Sequence, residues 1–557
     1  MKTANRRVLI IGGVAAGATA AARLRRLDEE AEITIIEKGP YVSFSNCGLP
    51  YRISGDVAKR SQLLLQTPEG LFARYRVKVL LNTEALSIDR SAKTVRVRAE
   101  GEESKLPYDA LILAMGGSPL LPPIAGIAGP NVFKLWTIPD MDAIQAWIES
   151  AKAKTALVIG GGFVGLEAAE AFLKRGLSTS VVELTDHLMP PADADFGAMI
   201  RGAFEAAGAK VFVGRSVKAI DSARKVALLD DGSEVGADIV LVSAGVRANL
   251  DLAREAGLEI GKAGGLVVDE GLRTLDPAIW AAGDMIEVER RVDGRRLRVP
   301  LAGPANRQGR IAATNAMGGS MKYRGALGSS VFKAMDYTFA MTGLSERAAL
   351  EAGFEAGAAL VHKGNHVSFM PGYEEISLKL VFDRKDGRIL GAQAFGKADV
   401  EKRVDVVAAL LAGRLGVADL AELDLYYAPP YNSANDILNM AAFVAENDLS
   451  GYSSTISPRE TLAALAEGKS LLLDVRTRGE ASKGAQAGSI NIPLDELRDS
   501  LDELPKDRPI HILSRAGFEG HVAARQLRQS GFTDLRYVSG GWLSLRLEPG
   551  YSEIRGS

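Results

Sequence analysis

At 557 residues the chain has room for three or four domains of about 150 residues each, and 47% apolar with 24% charged residues suits several packed cores rather than a disordered polymer. A formal net charge of −2 gives no global field for nucleic acid or an anionic membrane. One cysteine, Cys47, excludes an internal disulfide and any cysteine-only metal site, and fits a reducing cytoplasm. The opening "RRVLIIGGVAAGATAAARLRR" has the basic flanks and Ala-x-Ala of a secretory leader, but Gly12-Gly13 break its apolar run and an Ala-rich helix follows. Residues 110–133 carry no charge, yet Gly116-Gly117 and several prolines prevent one spanning helix. The expectation is a soluble, cytoplasmic protein with no membrane or nucleic-acid partner.

In chain order, "VLII" predicts a strand running into Gly12, and Gly17 opens a helix. A second strand, Ile33–Ile36, ends at Glu37, twenty positions after Gly17. That is the spacing at which an acid reaches a ribose hydroxyl in a dinucleotide-binding unit. Val14 replaces the middle glycine of G-x-G-x-x-G. Next comes "SFSNCGLPY", which places the lone thiol among small polar residues; the plain alternative is an inert, buried small hydrophobe. A second unit, "TALVIGGGFVGLEAAEAFLKRGLSTSVVEL", has Gly160, Gly162 and Gly165 in full G-x-G-x-x-G register and closes on Glu183. In both units glycine lets the backbone approach a pyrophosphate, and the helix N-terminus supplies N–H donors. Glu183 favours a ribose 2′-hydroxyl over a 2′-phosphate, hence NADH over NADPH. Five scattered histidines offer at best the pair His362/His366, so no metal site is expected.

Three further stretches carry a resemblance. "TLDPAIWAAGDMIEV", with Gly283-Asp284 after a short strand, is similar to the second flavin motif of the pyridine nucleotide–disulfide oxidoreductases. "LILAMGG" (Leu111–Gly117) resembles the strand joining that family's flavin and nicotinamide domains, and "VPLAGPANRQGR" (Val299–Arg310) its segment against the flavin ring. The order matches over residues 1 to about 320. The resemblance implies an α/β fold with two Rossmann-like nucleotide-binding domains, the first for FAD and the second for NAD. For FAD it implies Gly12, Ala16, Gly17, Glu37, Lys38, Asn46, Ala85, Ala114, Gly116, Gly283, Asp284, Pro300, Leu301 and Ala302. For NAD it implies Gly160, Gly162, Phe163, Val164, Gly165, Glu183 and Gly245. The implied division is residues 1–120 with 245–325 for FAD, 121–244 for NAD, an α+β dimerisation domain at 326–446, a linker at 447–456, and 457–557.

Many members of that family carry a C-x4-C dithiol; here the partner position is Arg52. "YVSFSNCGLPY" looks like the active segment of coenzyme A–disulfide reductases, which work through one cysteine bound as a mixed disulfide to coenzyme A. The implied chemistry passes a hydride from NADH to the flavin and electrons on into a Cys47–S–S–CoA bond, releasing CoA thiolate. The Cys47 thiolate then attacks the next CoA disulfide, persulfide or polysulfide. Nearby donors or positive potential are expected to depress its pKa. Arg23, Arg26, Ser43, Phe44, Asn46 and Asn306 are the implied CoA contacts, with a solvated helix face the alternative for the two arginines. "YYAPPYNSAND" resembles the subfamily's dimer-domain motif, where the tyrosine matching Tyr427 crosses a homodimer interface and donates to a leaving thiolate. A second tyrosine that usually precedes Pro371-Gly372 is absent, the chain reading "SFMPG".

Residues 456–557 resemble a rhodanese domain in "LLLDVRTRGE", "GSINIPLDELRDSLDELPKDRPIHIL" and "YVSGGWLSL". Its persulfide-carrying cysteine is replaced by Ser514 in "SRAGFEGHVAARQL", so rhodanese activity is not expected. Two rivals stand beside the reductase. An NADH peroxidase or oxidase would cycle Cys47 through sulfenic acid, but it brings a histidine from its first glycine loop, and residues 1–186 contain none. A sulfur-relay or redox-sensing protein would bind CoA tightly without turnover.

Overall fold

Strands apolar on every residue need cover on both faces, which parallel sheets flanked by helices provide. The computed structural model describes residues 5–554; the ends of the first and last predicted domains, 1–4 and 555–557, lie outside them. It divides into two units, the first being residues up to Asp186 together with Phe204–Gly328. In its first sheet Arg7–Ile11 is central, with Glu32–Ile36 and then Val77–Leu80 on one side, Ala110–Leu113 and then Ile279–Ala281 on the other. All pairs are parallel, and Val8, Ile10, Leu111 and Ile112 are fully buried. Since the chain leaves the central strand to one side and returns on the other, a crevice opens beyond the C-terminal ends of Arg7–Ile11 and Ala110–Leu113.

The second sheet repeats this plan: Lys210–Val213, Ser178–Glu183, Thr155–Ile159, Ile239–Val242 and Val132–Phe133, all parallel. Its switch point lies beyond Ile159 and Val242. Helix Ala302–Ala316 packs on helix Ala15–Leu27 so closely that a Cβ on Gly309 would stand 2.3 Å from the Ala16 carbonyl oxygen.

The second unit comprises His187–Ala203 and the chain from Ser329 onward. An antiparallel sheet runs Ser330–Ala334, Tyr337–Gly343, Ile389–Gly396, Glu375–Asp383, Ala356–Gly364. The segment His187–Ala203 joins it through charge. Buried Lys379 lies 2.7 Å from Asp195, 3.4 Å from Asp193 and 3.3 Å from Glu346, while the Gln393 amide donates to Asp193 at 2.6 Å. Three carboxylates outweigh desolvation and hold the Lys379 ammonium above its ordinary pKa. A five-stranded parallel sheet follows: Thr455–Ile456, Leu535–Val538, Ile510–Leu513, Leu471–Asp474, Ser489–Asn491. It is fastened to the antiparallel sheet by the Leu360 N–H donating to Ser539 Oγ (3.2 Å), and by His362, whose Nδ1 and Nε2 lie 2.8 Å from Ser377 Oγ and Ser544 Oγ. Burial pushes His362 down to about 3, so it stays neutral and can donate to one serine while accepting from the other. Among the described residues no helix is long and apolar enough to cross a membrane.

Candidate active site

Both glycine turns have the same anatomy, each at its sheet's switch point. Gly12 has φ +97° and its N–H donates to the Ile36 carbonyl (2.9 Å); Gly160 has φ +107° and donates to Val182 (2.8 Å). Side chains are barred at both: a Cβ would meet the Ala114 oxygen at 2.2 Å and the Ser243 oxygen at 2.3 Å. Gly17 and Gly165 let each helix close on its own turn, with Cβ positions 1.8 and 2.0 Å from the Gly12 and Gly160 oxygens. The departure at Val14 is explained by Gly13. There a Cβ would strike Val42 at 2.8 Å and Ile35 at 2.9 Å, whereas Val14, at the helix N-cap position, has φ −95° and so lies outside the left-handed region that favours glycine.

The acids predicted for the riboses sit beside these turns. Glu37 accepts from Gly13 (2.8 Å) and Gly39 (2.9 Å), and Glu183 from Gly161 (2.6 Å) and Thr185 (2.8 Å). The Thr185 hydroxyl also donates to Glu183 Oε1 (2.9 Å), so a second lone pair for a ribose hydroxyl remains on Glu183 Oε2 and on each oxygen of Glu37. Burial nonetheless pushes Glu37 above the usual carboxylate range. The residues present fit two dinucleotides. Helices Ala15–Leu27, Phe163–Lys174 and Ala302–Ala316 begin without a side-chain cap, leaving N–H donors for an anion or carbonyl. Gly116, Gly162 and Gly245 have open space where a Cβ would stand, Gly245 at φ +119°. Pro300 and Leu301 lead into Ala302, and Phe163 and Val164 form the first turn of their helix. Lys38 pairs with Glu84 at 2.7 Å, and Ala85 lies at an irregularity of strand Thr83–Asp89.

Asp284 follows Gly283, whose φ is +87° and whose N–H donates to Gln308 at 2.7 Å. Burial pushes Asp284 up to about 6, and Arg298 opposes this only in part. An acid raised by burial disfavours the fold as it ionises, so its cost grows from about pH 4, where an unfolded aspartate titrates, to about pH 6. In protein stripped of flavin, Asp284→Asn should therefore gain thermal stability relative to the parent as pH rises over that window. Parallel melts at pH 4 and pH 7 check this; a difference independent of pH contradicts it.

Cys47 is exposed and lies in the short turn Asn46–Gly48, directly ahead of helix Leu49–Ser54. The Ser43 N–H donates to the Gly13 carbonyl (2.8 Å), which ties the cysteine segment to the first glycine turn; Ser43 takes φ +48° there. Asn46 Oδ1 accepts from the Cys47 N–H (3.0 Å), with the thiol 3.7 Å away. The expected depression of the thiol pKa is not found. Desolvation, then the negative charges of Glu167 and Asp284, push it up, and only a backbone hydrogen bond acts in the other direction. Arg52 turns to the Val57 carbonyl (3.4 Å) instead of the sulfur.

Of the predicted CoA residues, Arg23 donates to Thr314 Oγ1 (3.1 Å) and Asn306 accepts from Thr19 (2.6 Å), both across the two packed helices; Arg26 is exposed and Phe44 bridges to Leu64. Tyr427 lies in the second unit, half exposed, in the loop between helices Val417–Ala421 and Ile437–Leu449. Ser514 stands at the end of strand Ile510–Leu513, fully buried, and its Oγ accepts from the Gly517 N–H at 3.0 Å. Arg515 pairs with Glu375 at 3.1 Å. Sequence reasoning missed Glu167 and Tyr51, which are hydrogen bonded to one another at 3.2 Å. The available signal was an acid two residues past Gly165 in a helix start, "FVGLEAAEAF", whose only other charged residue is Glu170.

Comparison with known proteins agrees with this anatomy. Residues 6–309 match the pyridine nucleotide-disulphide oxidoreductase model, 329–436 its dimerisation domain and 457–547 the rhodanese-like domain. The reduced CoADR-RHD of Bacillus anthracis is 38% identical with a TM-score of 0.95, covering 98% of this chain and 99% of its own. The NAD-dependent persulfide reductase of A. fulgidus is 35% identical with a TM-score of 0.91, over 97% and 99%. The CoA-dependent NAD(P)H sulfur oxidoreductase of Pyrococcus abyssi is 33% identical over 78% of this chain and 97% of its own. The chain thus belongs to the pyridine nucleotide-disulphide oxidoreductases, with the family's dimerisation domain and a rhodanese-like domain after it.

Proposed function

We propose that the protein is an NADH-consuming flavoprotein reductase of coenzyme A persulfide, polysulfide or disulfide, working through Cys47. The observation that carries this is a single exposed thiol placed by one turn beside a nucleotide cradle, with an arginine where a second cysteine would stand. A bound FAD would supply the two-electron path between nicotinamide and sulfur. The protein's own residues do the rest. Asn46 holds the backbone and thiol of Cys47, and Gly12, Gly17, Glu37 and Asp284 hold the flavin nucleotide. Gly160, Gly162, Gly165 and Glu183 hold NADH, Arg23 and Arg26 meet CoA phosphates, and Asn306 is a further CoA contact. Glu183 with exposed, uncharged Leu184 after it favours NADH over NADPH. The four-part division of the chain belongs to the same reading, as do a cytoplasmic homodimer and a Tyr427 that serves the partner's sulfur; exposed Phe369, Tyr426, Tyr427 and Tyr431 support the dimer. NADH oxidation compared on one preparation with CoA persulfide, CoA disulfide and hydrogen peroxide tests the assignment, and peroxide as best substrate overturns it.

A hydroxyl cannot carry a stable persulfide, so Ser514 leaves the rhodanese-like loop silent. The loop is otherwise built: Gly517 (φ +105°) donates to position 514, and a Cβ on Gly541 would press the Ser514 carbonyl at 2.5 Å. Ser514→Cys should add thiosulfate-to-acceptor sulfur transfer and leave NADH reduction of the flavin unchanged. A variant that folds yet transfers no sulfur would place the defect elsewhere, for example in Arg515, which is committed to Glu375.

A further inference from the structure

The chain passes between the two nucleotide-binding folds of the first unit twice, outbound at Gly117–Pro119 and back at Val246–Ala248, and the two crossings pair as antiparallel strands. Each sets out from a glycine turn. Ala114, whose carbonyl lies against Gly12, donates its N–H to the Ile11 carbonyl at 2.8 Å; Ser243, whose carbonyl lies against Gly160, donates to the Ile159 carbonyl at 2.8 Å. Three residues on from each, a crossing begins. A shift of the crossing pair is therefore felt at once by both dinucleotide turns.

The crossings lie too close for a side chain at Gly117, where a Cβ would stand 2.6 Å from Val246 Cγ1 and 2.8 Å from the Arg247 oxygen. Yet a glycine in the left-handed region precedes each one, Gly116 at φ +59° and Gly245 at φ +119°, with open space beside both. Such glycines let the backbone bend, so a two-stranded ribbon does not by itself fix how one fold faces the other.

Asn249, at the end of the return crossing, supplies the restraint. Its side-chain amide donates to the Met115 carbonyl at 2.8 Å and accepts from the Ser118 hydroxyl at 2.7 Å, while its N–H donates to the Gly116 carbonyl at 3.0 Å. One residue thus grips the outbound chain on both sides of Gly117. Its own place is set by Leu250 and Ala253, which are buried in the core of the first sheet. We propose that Asn249 is a positioning residue for hydride transfer, fixing the two crossings and, through them, the approach of the nicotinamide to the flavin. This rests on the two turns holding FAD and NADH, and it is independent of Cys47 and of CoA. The step it serves takes two electrons and a proton together, as hydride, from NADH to the flavin and leaves NAD⁺. Transfer of this kind depends steeply on geometry, and a displacement of about 1 Å costs on the order of 10²-fold.

The test uses the flavin-loaded protein. In Asn249→Ala, anaerobic rapid mixing should show flavin reduction at saturating NADH slowed by about tenfold or more. The long-wavelength charge-transfer absorbance of reduced flavin with bound NAD⁺ should weaken. Deuterium uptake should rise in peptides spanning 114–120 and 243–249 but not in strands Arg7–Ile11 and Thr155–Ile159. Reoxidation of photoreduced protein by CoA disulfide should stay within about twofold of the parent. An Asn249→Ala protein reduced within about twofold of the parent rate, its charge-transfer band intact, overturns the proposal. So does one whose reoxidation slows by the same factor as its reduction, since that marks a general loss of structure. Should Asn249→Ala lose its flavin, Ser118→Ala decides: it removes the hydroxyl that orients the amide and should slow reduction alone by a smaller factor, and an unmoved rate overturns the proposal equally. A parent that NADH does not bleach overturns the reading of the turns together with the proposal, whereas a bleaching parent beside unaltered variants overturns the proposal only.

Discussion

Cys47→Ser is expected to lose CoA-persulfide and CoA-disulfide turnover by a factor on the order of 10³ or more, as removal of a covalent nucleophile does elsewhere. The flavin should stay bound and should still bleach when NADH is added anaerobically, because no residue of either glycine turn has changed. Cys47 is exposed, and its N–H and thiol both face Asn46 Oδ1, a contact that a serine hydroxyl can also make. What disappears is the sulfur that can form and break a disulfide; a serine hydroxyl ionises far above any working pH and makes no such bond. Rapid-mixing absorbance separates the two half-reactions. Retained steady-state turnover would move the chemistry away from this position, while loss of bleaching would mean that the residue supports the flavin and not the sulfur.

The second large effect is on stability. Arg403, in helix Val400–Gly413, is fully buried; its guanidinium donates to Asp436 (2.9 Å) and to the Asn365 (2.8 Å) and Asp399 (2.8 Å) carbonyls. Asp436 in turn caps helix Ile437–Leu449 through the Leu438 N–H at 2.9 Å. Arg403→Ala leaves that carboxylate and two carbonyls buried without their cation, a loss of about 3–5 kcal/mol. Arg403→Lys should recover little, since an ammonium cannot span three acceptors in a planar fork. Thermal melts followed by limited proteolysis should show the second unit opening first, with cleavage in the loop that carries Tyr427. An unchanged melting profile contradicts this account of how that loop is held.

Local features were legible in the residues; long-range pairings were not. Both glycine turns, both terminal acids and the tail loop follow from strand, turn and helix within some thirty positions, where backbone sterics decide. Even the irregular fingerprint at Val14 resolves locally, because the crowded position is Gly13. By contrast, Tyr51 and Glu167 are 116 positions apart, and Asp193 and Lys379 are 186 apart. Neither pairing has a sequence period to announce it. The same distance hid the sign of the thiol shift. "SFSNCGLPY" suggests donors around the sulfur, while its pKa is raised first by desolvation and then by carboxylates from residues 167 and 284.

The central claim, that electrons from NADH reach a CoA sulfur through Cys47, is tested most directly by loading and discharge. Oxidised protein treated with CoA disulfide, freed of excess ligand and mapped under non-reducing conditions should carry one CoA on the peptide containing Cys47. Anaerobic NADH should then release that CoA as free thiol, one per NADH consumed. A protein that takes up no CoA at Cys47, or that oxidises NADH while the adduct stays in place, contradicts the account.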